Sequence, residues 1–513
     1  MAAEPPRQRR APLELSPDEF RELGHALVED VTSFLETLPQ RPVAPGERPP
    51  EVRALLPPGG VPPRGIDPGE LLTEAARLLF DHSLFNGHPR FWGYVTSSAA
   101  PIGALADLLA AAVNPNLGGW PLSPVASEIE AQTVRWIAEL VGFPADSGGI
   151  LVSGGNMANF VCFLAARRAC ARWDVRAEGM RGAPGRARVY ASAETHTWIE
   201  KAADLFGLGT DAIRWIETDD RQRMDAAALE AAIDDDREAG DVPLLVVGTG
   251  GSVSTGAIDP LPDLRRICDE RSLWLHVDGA YGAFAALLPD APSDLKALAT
   301  ADSVALDPHK WLYAPLEAGC ALVRDAEALR DTFSYRPAYY HLAEDQGINY
   351  FEYGPQNSRG FRALKVWLAL RQVGREGYER MIGDDCALAR RLHELAAADP
   401  ELEAWTHELS ITTFRYVPRD LQDAGERAAA YLDDLNKELL DRLERGGEAF
   451  VSNAILRDTF LLRACVVNFR TSAEDIEALP GIVTRLGREV DAELRPAGQR
   501  DPAQPLRRKN VET

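Results

Sequence analysis

Between Gly149 and Asp325 the chain alternates short, unbroken apolar runs with segments whose apolar residues recur at helical spacing. The runs are Gly149–Ser153, Arg188–Ser192, Ala212–Glu217, Leu244–Thr249, Leu273–Asp278, Ser303–Leu306 and Cys320–Arg324. Their apolar continuity predicts strands covered on both faces, and the helical segments between them make βα units of a largely parallel sheet. In such a sheet ligands gather at the carboxyl ends of the strands. Upstream, Phe20, Leu23, Leu27 and Val31 predict a helix over Ser16–Leu38, with Ser16 as its cap and Pro17 in its first turn. The stretch Leu38–Pro68 is too rich in proline for regular structure, and reads either as an extended strap lying on another surface or as a flexible linker. From about Ala363 a long helical pattern leads into a second region, where Ser410–Val417 and Leu461–Phe469 read as strands among helices. That region is an α+β unit. No repeat at solenoid period is visible.

A chain of 513 residues is too long for one simple core, so two or three packed subdomains are expected. The 55 Lys and Arg against 78 Asp and Glu leave a net charge of −23. This field excludes nucleic acid and anionic membranes as partners, while a local pocket for one phosphate stays open. Six cysteines (162, 170, 268, 320, 386 and 465) are scattered without CxxC spacing, which argues against a disulfide framework and against a zinc site. No metal is expected, and a reducing cytoplasm is the natural location. The first fifteen residues carry Pro and Arg with no apolar segment behind them, and no later run reaches bilayer length, so neither secretion nor membrane insertion is expected.

The residues with chemical potential fall at predicted strand ends. In Leu151–Asn159 a strand runs into Gly154 and Gly155 and then a helix, where the backbone N–H groups of Gly155 and Asn156 could hold a phosphate. A glycine turn before a helix is by itself more often plain geometry. In Trp274–Tyr281, Asp278 ends a buried strand, where a carboxylate needs a cation or a strong donor; a protonated pyridine nitrogen, a metal or a helix cap would each serve. In Asp307–Trp311, Lys310 lies just past another strand and beside His309, placed to attack an aldehyde if it is pocketed, although a lone lysine is usually a surface residue.

Joined in this order, a phosphate cradle, an acid for a pyridine nitrogen and an imine-forming lysine are what pyridoxal 5'-phosphate (PLP) chemistry needs. The chain resembles the group II PLP-dependent decarboxylases, the family of aromatic-L-amino-acid decarboxylase. The resemblance runs from about Leu13 to Leu462–Thr471 and includes Arg41–Val43, His88–Phe91, Ser123–Pro124 with Glu128 and Glu130, Ser153–Gly155, Val277–Asp278 and, most specifically, His309–Trp311. It implies a PLP fold type I α/β architecture: an N-terminal helical strap (1–92), a large domain on a mostly parallel seven-stranded sheet (93–375) and a small α+β C-terminal domain (376–513). It implies that Lys310 holds PLP as a Schiff base, Asp278 pairs with the pyridine nitrogen, Ala280 packs under the ring and His196 stacks on its other face. Gly155, Asn156 and Asp307 fall on phosphate positions, with Thr249 and His309 near the lysine and cofactor. Tyr339, with Tyr340 as rival, falls where the family has the loop tyrosine that returns a proton to Cα, and the substrate wall maps to Pro101, Asn116, Gly118 and Ser358. The family also implies a homodimer with a shared active site.

Three departures qualify the match. Val253 replaces a usual threonine, Asp307 replaces the asparagine of the animal enzymes, and Asn114–Trp120 replaces a bulkier apolar lining, leaving a roomier and more polar wall. The resemblance implies decarboxylation of an L-amino acid, with an aromatic one, tyrosine-like if Ser358 follows the plant pattern, as first choice. An acidic or diamino acid (glutamate, aspartate, 2,4-diaminobutyrate) is the alternative; a basic side chain in the pocket, with Arg90, Arg359 and Arg362 as candidates, would favour the acidic one. An aminotransferase and a non-catalytic binding protein on the same fold stand further off.

Overall fold

The computed structural model describes residues 11–335 and 347–495. Seven strands make the central sheet: β1 (Gly148–Val152), β2 (Ala187–Ser192), β3 (Ile213–Ile216), β4 (Val242–Thr249), β5 (Trp274–Asp278), β6 (Ser303–Leu306) and β7 (Gly319–Val323). They lie in the order β1-β7-β6-β5-β4-β2-β3. All but β7 share one direction; β7 runs antiparallel between β1 and β6. Successive residues of a strand point to opposite faces. Thus Leu151, Val246 and Leu322 join a core with the helices Pro124–Leu140 and Leu261–Arg271. Their neighbours Ile150, Val152, Leu245, Val247 and Val323 pack the other face, against the helices Gly155–Cys170 and Trp198–Leu205. Burial on both faces requires apolar residues at odd and even positions alike, hence the unbroken runs in the sequence.

A second, antiparallel sheet combines β8 (Leu402–Glu408), β9 (Ile411–Tyr416), β10 (Ser452–Leu456) and β11 (Thr459–Cys465) in the order β10-β11-β9-β8. The helices Ala429–Gly446 and Ala473–Leu494 share its core with the far half of the helix Ala363–Ala398, whose path is broken at Gly374 (φ 68). The α+β expectation holds for this region. Of its four strands, β8 and β10 were not expected.

At the N-terminus the helix Pro17–Thr37 starts as predicted: Ser16 Oγ accepts from Glu19 N (3.2 Å) and the Glu19 carboxylate accepts from Ser16 N (2.8 Å). It buries no side chain within this chain; Phe34 stacks on Phe80 of the helix Pro68–His82 at 4.5 Å. The stretch Leu38–Pro68 departs from expectation by containing the helix Pro49–Ala54. Its two prolines occupy the first turn, where an N–H is not needed. Before it, Val43 is fully buried, donating to Gly447 O (2.9 Å) and accepting from Phe85 N (3.0 Å), so this part of the strap lies on the C-terminal region of its own chain. Among the described residues no helix is long and apolar enough to cross a membrane, and no cluster of three or more His, Cys, Asp or Glu could hold a metal.

Candidate active site

The six parallel strands end on one edge of the sheet, where the ends of β4 and β5 and the segments that follow β1, β2 and β6 line a cavity of about 360 Å³. β1 leads through Gly154 (φ 136) into Gly155, the first residue of the helix Gly155–Cys170. A Cβ on Gly155 would stand 2.7 Å from Asp307 Oδ2 and 3.1 Å from Ala280 Cβ, so only glycine leaves the helix terminus open beside these groups. β6 delivers Asp307 and, one turn on, Lys310, whose Nζ lies 3.0 Å from Asp307 Oδ2 with the side chain 18% exposed. β4 delivers Thr249, and both its Oγ1 and Asp307 Oδ1 are buried with no hydrogen-bond partner. Asn156, His196, Asp278 and Ala280 complete the polar and small lining, with Phe160, Met157 and Val253 as apolar wall.

Asp278, 8% exposed at the end of β5, takes one donor on each oxygen: Ala280 N at 3.1 Å and the Trp198 indole N–H at 2.7 Å. Beneath it His276 is clamped between Asn159 Oδ1 (2.7 Å) and Ser303 Oγ (2.9 Å), and burial drives its imidazole down to about 4, so the ring is neutral. His196 forms the cavity's outer side; burial lowers its imidazole below the ordinary value, against the opposing pull of Asp278. Burial also lowers His309, which is fixed through Nδ1 at the Ala318 backbone (2.7 Å to the carbonyl) and whose own carbonyl accepts from Ser97 Oγ (2.7 Å). Glu194 also lines the cavity, with its carboxyl raised by burial.

The lysine turn is held from behind. Trp311 stacks on Tyr281 at 4.9 Å and donates its indole N–H to Asp385 Oδ2 (2.8 Å), which also accepts from the Tyr313 hydroxyl (2.6 Å). Asp385 and Trp198 were both missed by sequence reasoning. The indole and the carboxylate it meets are 80 residues apart, and no local spacing announces such a contact.

Lys310, Asp278, His196, Gly155, Asn156, Thr249, Ala280 and Asp307 are therefore gathered around one cavity, with His309 outside its lining, against Gly154. The residues mapped to the substrate wall are not. Pro101 starts the helix Pro101–Val113, and Ser358 is exposed. The Asn116 carboxamide oxygen accepts from Gly118 N (3.0 Å) and Arg359 N (3.1 Å), away from the cavity of its own chain. Gly118 is pressed against the carbonyl of Asn357, where no Cβ fits. Tyr339 and Tyr340 lie outside the described residues.

Each arginine considered for an acidic substrate is engaged elsewhere. Arg359 and Glu130 form a buried pair (2.5 Å), with Arg359 also donating to Leu151 O (2.7 Å). Arg362 pairs with Glu317 (2.9 Å) and Arg90 with Asp475 (3.1 Å). Among the described residues the cavity lining holds Lys310 as its one Lys or Arg.

The family model "Pyridoxal-dependent decarboxylase conserved domain" matches residues 53–417. The aromatic-L-amino-acid decarboxylase of Bacillus atrophaeus is 33% identical, covering 93% of this chain and 97% of its own. Histidine decarboxylase of Drosophila melanogaster is 31% identical over 89% of this chain and 54% of its own length. The crystal structure of Oryza sativa TDC with PLP and tryptamine superposes with a TM-score of 0.86 at 26% identity, covering 94% of this chain and 99% of that one.

Proposed function

Given that the chain belongs to the pyridoxal-dependent decarboxylase family, and so is a PLP-dependent amino acid decarboxylase, we propose that it converts an aromatic L-amino acid to its amine and CO2. The observation that carries this choice over an acidic substrate is that Lys310 is the one Lys or Arg in the cavity lining among the described residues. A substrate with a second carboxylate would need a cation besides the lysine, and Arg90, Arg359 and Arg362 are each bound to a carboxylate away from the lining. Phe160, Met157 and Val253 offer an apolar wall instead. The full-length likeness to an aromatic-L-amino-acid decarboxylase supports the same choice.

The residues present fit the cofactor. The glycine turn leaves an open helix N-terminus for the phosphate, Thr249 Oγ1 has an unmet hydrogen-bonding capacity at the cavity, and Asp278 is a buried carboxylate with no ion-pair partner among the described residues. When bound, PLP supplies a conjugated ring that accepts the electron pair left when the bond from Cα to the carboxylate breaks. In this reading Lys310 would hold the cofactor's aldehyde carbon, Asp278 would face its ring nitrogen, and Gly155 and Asn156 would hold its phosphate. His196, whose imidazole burial holds below its ordinary value, would cover the ring face without adding a positive charge beside Asp278. Asp307, 3.0 Å from Lys310, holds the amine toward the cavity before the cofactor arrives.

The working form in this proposal is a homodimer. The helix Pro101–Val113 turns Leu105, Leu108, Leu109 and Val113 outward, each more than half exposed, and the helix Pro17–Thr37 buries nothing in its own chain. A second copy would cover these faces, and would allow Asn116, Gly118 and Ser358 to serve a cavity other than their own. Six free cysteines support a reducing compartment such as the cytoplasm.

The test is an assay of CO2 and amine release from purified, PLP-loaded protein across the common amino acids. Release from tyrosine, tryptophan, phenylalanine or histidine, absent in Lys310→Ala together with the visible absorbance of the bound cofactor, is expected. Release from glutamate, aspartate or 2,4-diaminobutyrate with none from an aromatic substrate would overturn the choice.

A further inference from the structure

Asp278 has no cationic partner within ion-pair distance among the described residues, yet it is nearly buried. A carboxylate there must be oriented by neutral donors, and it has two, one on each oxygen. The Ala280 N–H is part of the local turn. The second, the Trp198 indole N–H at 2.7 Å, comes from a different element. Trp198 is fully buried at the start of the helix Trp198–Leu205. It is locked by edge-on contacts with His276 (5.6 Å, 87°) and Phe163 (6.4 Å, 80°). A planar, immobile donor fixes the plane of the carboxylate in a way that water or a flexible side chain would not. The backbone N–H of the same residue donates to His196 Nδ1 at 3.3 Å. One residue therefore touches both the acid placed for the ring nitrogen and the histidine placed for the ring face. With Nδ1 occupied as an acceptor, the neutral imidazole carries its proton on Nε2.

We propose that Trp198 is a positioning residue of the reaction: its indole N–H fixes the Asp278 carboxylate so that the cofactor's pyridine nitrogen stays protonated. The proposal rests on the reading of Asp278 as the partner of that nitrogen. It assigns no contact between Trp198 and the substrate.

The test uses holoenzyme loaded with PLP labelled with 15N at the pyridine nitrogen. In the wild type the resonance is expected at the pyridinium position across neutral pH. In Trp198→Phe it should move toward the unprotonated position, with kcat down ~10-fold, as for loss of one hydrogen bond to a charged group, and KM within about twofold. Trp198→His, which restores a ring N–H, should recover part of both. A folded Trp198→Phe holoenzyme whose 15N resonance and kcat match the wild type would overturn the proposal and leave the indole as packing. The wild type offers a second reading that needs no variant of Trp198 to fold. Its indole N–H proton should resonate downfield of free indole and lose that shift in Asp278→Ala, and a resonance at the free position would also overturn the proposal. A wild-type ring nitrogen found unprotonated would instead remove the role of Asp278 on which the proposal stands, so the two failures are distinguishable.

Discussion

Adding one methyl group at Gly155 separates the phosphate cradle from the rest of the fold. Gly155 opens the helix Gly155–Cys170 and does not have a positive φ, so alanine is compatible with the backbone. Alanine in a helix is favoured over glycine by up to about 1 kcal/mol, and less at a terminus. Against this, the new Cβ would lie 2.7 Å from Asp307 Oδ2 and 3.1 Å from Ala280 Cβ. Asp307 cannot easily yield, being 2% exposed and bound to Lys310 at 3.0 Å. Overpacking of this kind costs about 1–3 kcal/mol. In cofactor-free protein the two terms oppose each other and the helix terminus can shift slightly, so the thermal midpoint should change little. In the loaded protein the same shift displaces the N–H groups from the phosphate, and the whole penalty falls on binding. Gly155→Ala should weaken PLP affinity about 10- to 100-fold. Titration of cofactor-free protein with PLP, followed by the visible absorbance and compared with scanning calorimetry of the same sample, reads both quantities. Unchanged affinity would refute the cradle. So would a loss of cofactor-free stability as large as the loss of binding energy, because the glycine would then be structural.

Two other predictions follow from groups outside the cavity. Wild-type protein should sediment at about twice the 56.1 kDa chain mass, and Leu108→Arg on the exposed face of the helix Pro101–Val113 should shift it toward the monomer with loss of decarboxylation; a wild-type monomer at assay concentration would rule out the shared-site dimer. Asp385, raised by burial from 3.8 to about 7 although Tyr313 and Trp311 donate to it, holds its proton more tightly folded than unfolded. Its contribution to stability is therefore largest at low pH and is lost as pH rises from about 3.8 through about 7. Asp385→Asn cannot titrate, so the wild-type Tm minus the variant Tm should fall between pH 5 and pH 8, and a difference that stays constant would contradict the buried-acid assignment.

What was legible in the sequence follows from how each element is buried. β4 and β5 lie in mid-sheet with helices on both faces, so Leu244–Thr249 and Leu273–Asp278 read as continuous apolar runs and betray themselves without any partner. β8 is the opposite case. Its residues Glu403 to Glu408 are only partly buried at the edge of the small sheet, and the strand is specified by pairing with β9 rather than by its own pattern. β10 does alternate buried and exposed residues, but it is five residues long and gains its register from the tight turn at Arg457 and Asp458, both with positive φ. The helix Pro49–Ala54 was hidden because proline weighs against helix everywhere except in the first turn, where these two stand.

The same distinction divides the active site. Lys310, Asp278 and Gly155 came to notice because each stands at the end of a predicted buried strand, and it was their combination in one order, not any one of them, that pointed to a cofactor. Asn116 shows what a linear reading lacks: its side-chain oxygen accepts from Gly118 N and Arg359 N, and no local spacing announces either contact. Trp198 was invisible for the complementary reason, since an indole in an apolar helix face is indistinguishable from core until a carboxylate is found at its nitrogen. Both residues depend on a hydrogen-bond partner supplied by the fold, and donor and acceptor capacity is a property that every Asn and Trp has whether or not it is used. Assigning positioning residues thus requires knowing which polar atoms are already satisfied, and that criterion separates Thr249 Oγ1, at the cavity and without a partner, from the Asn116 side-chain oxygen, away from it and already engaged.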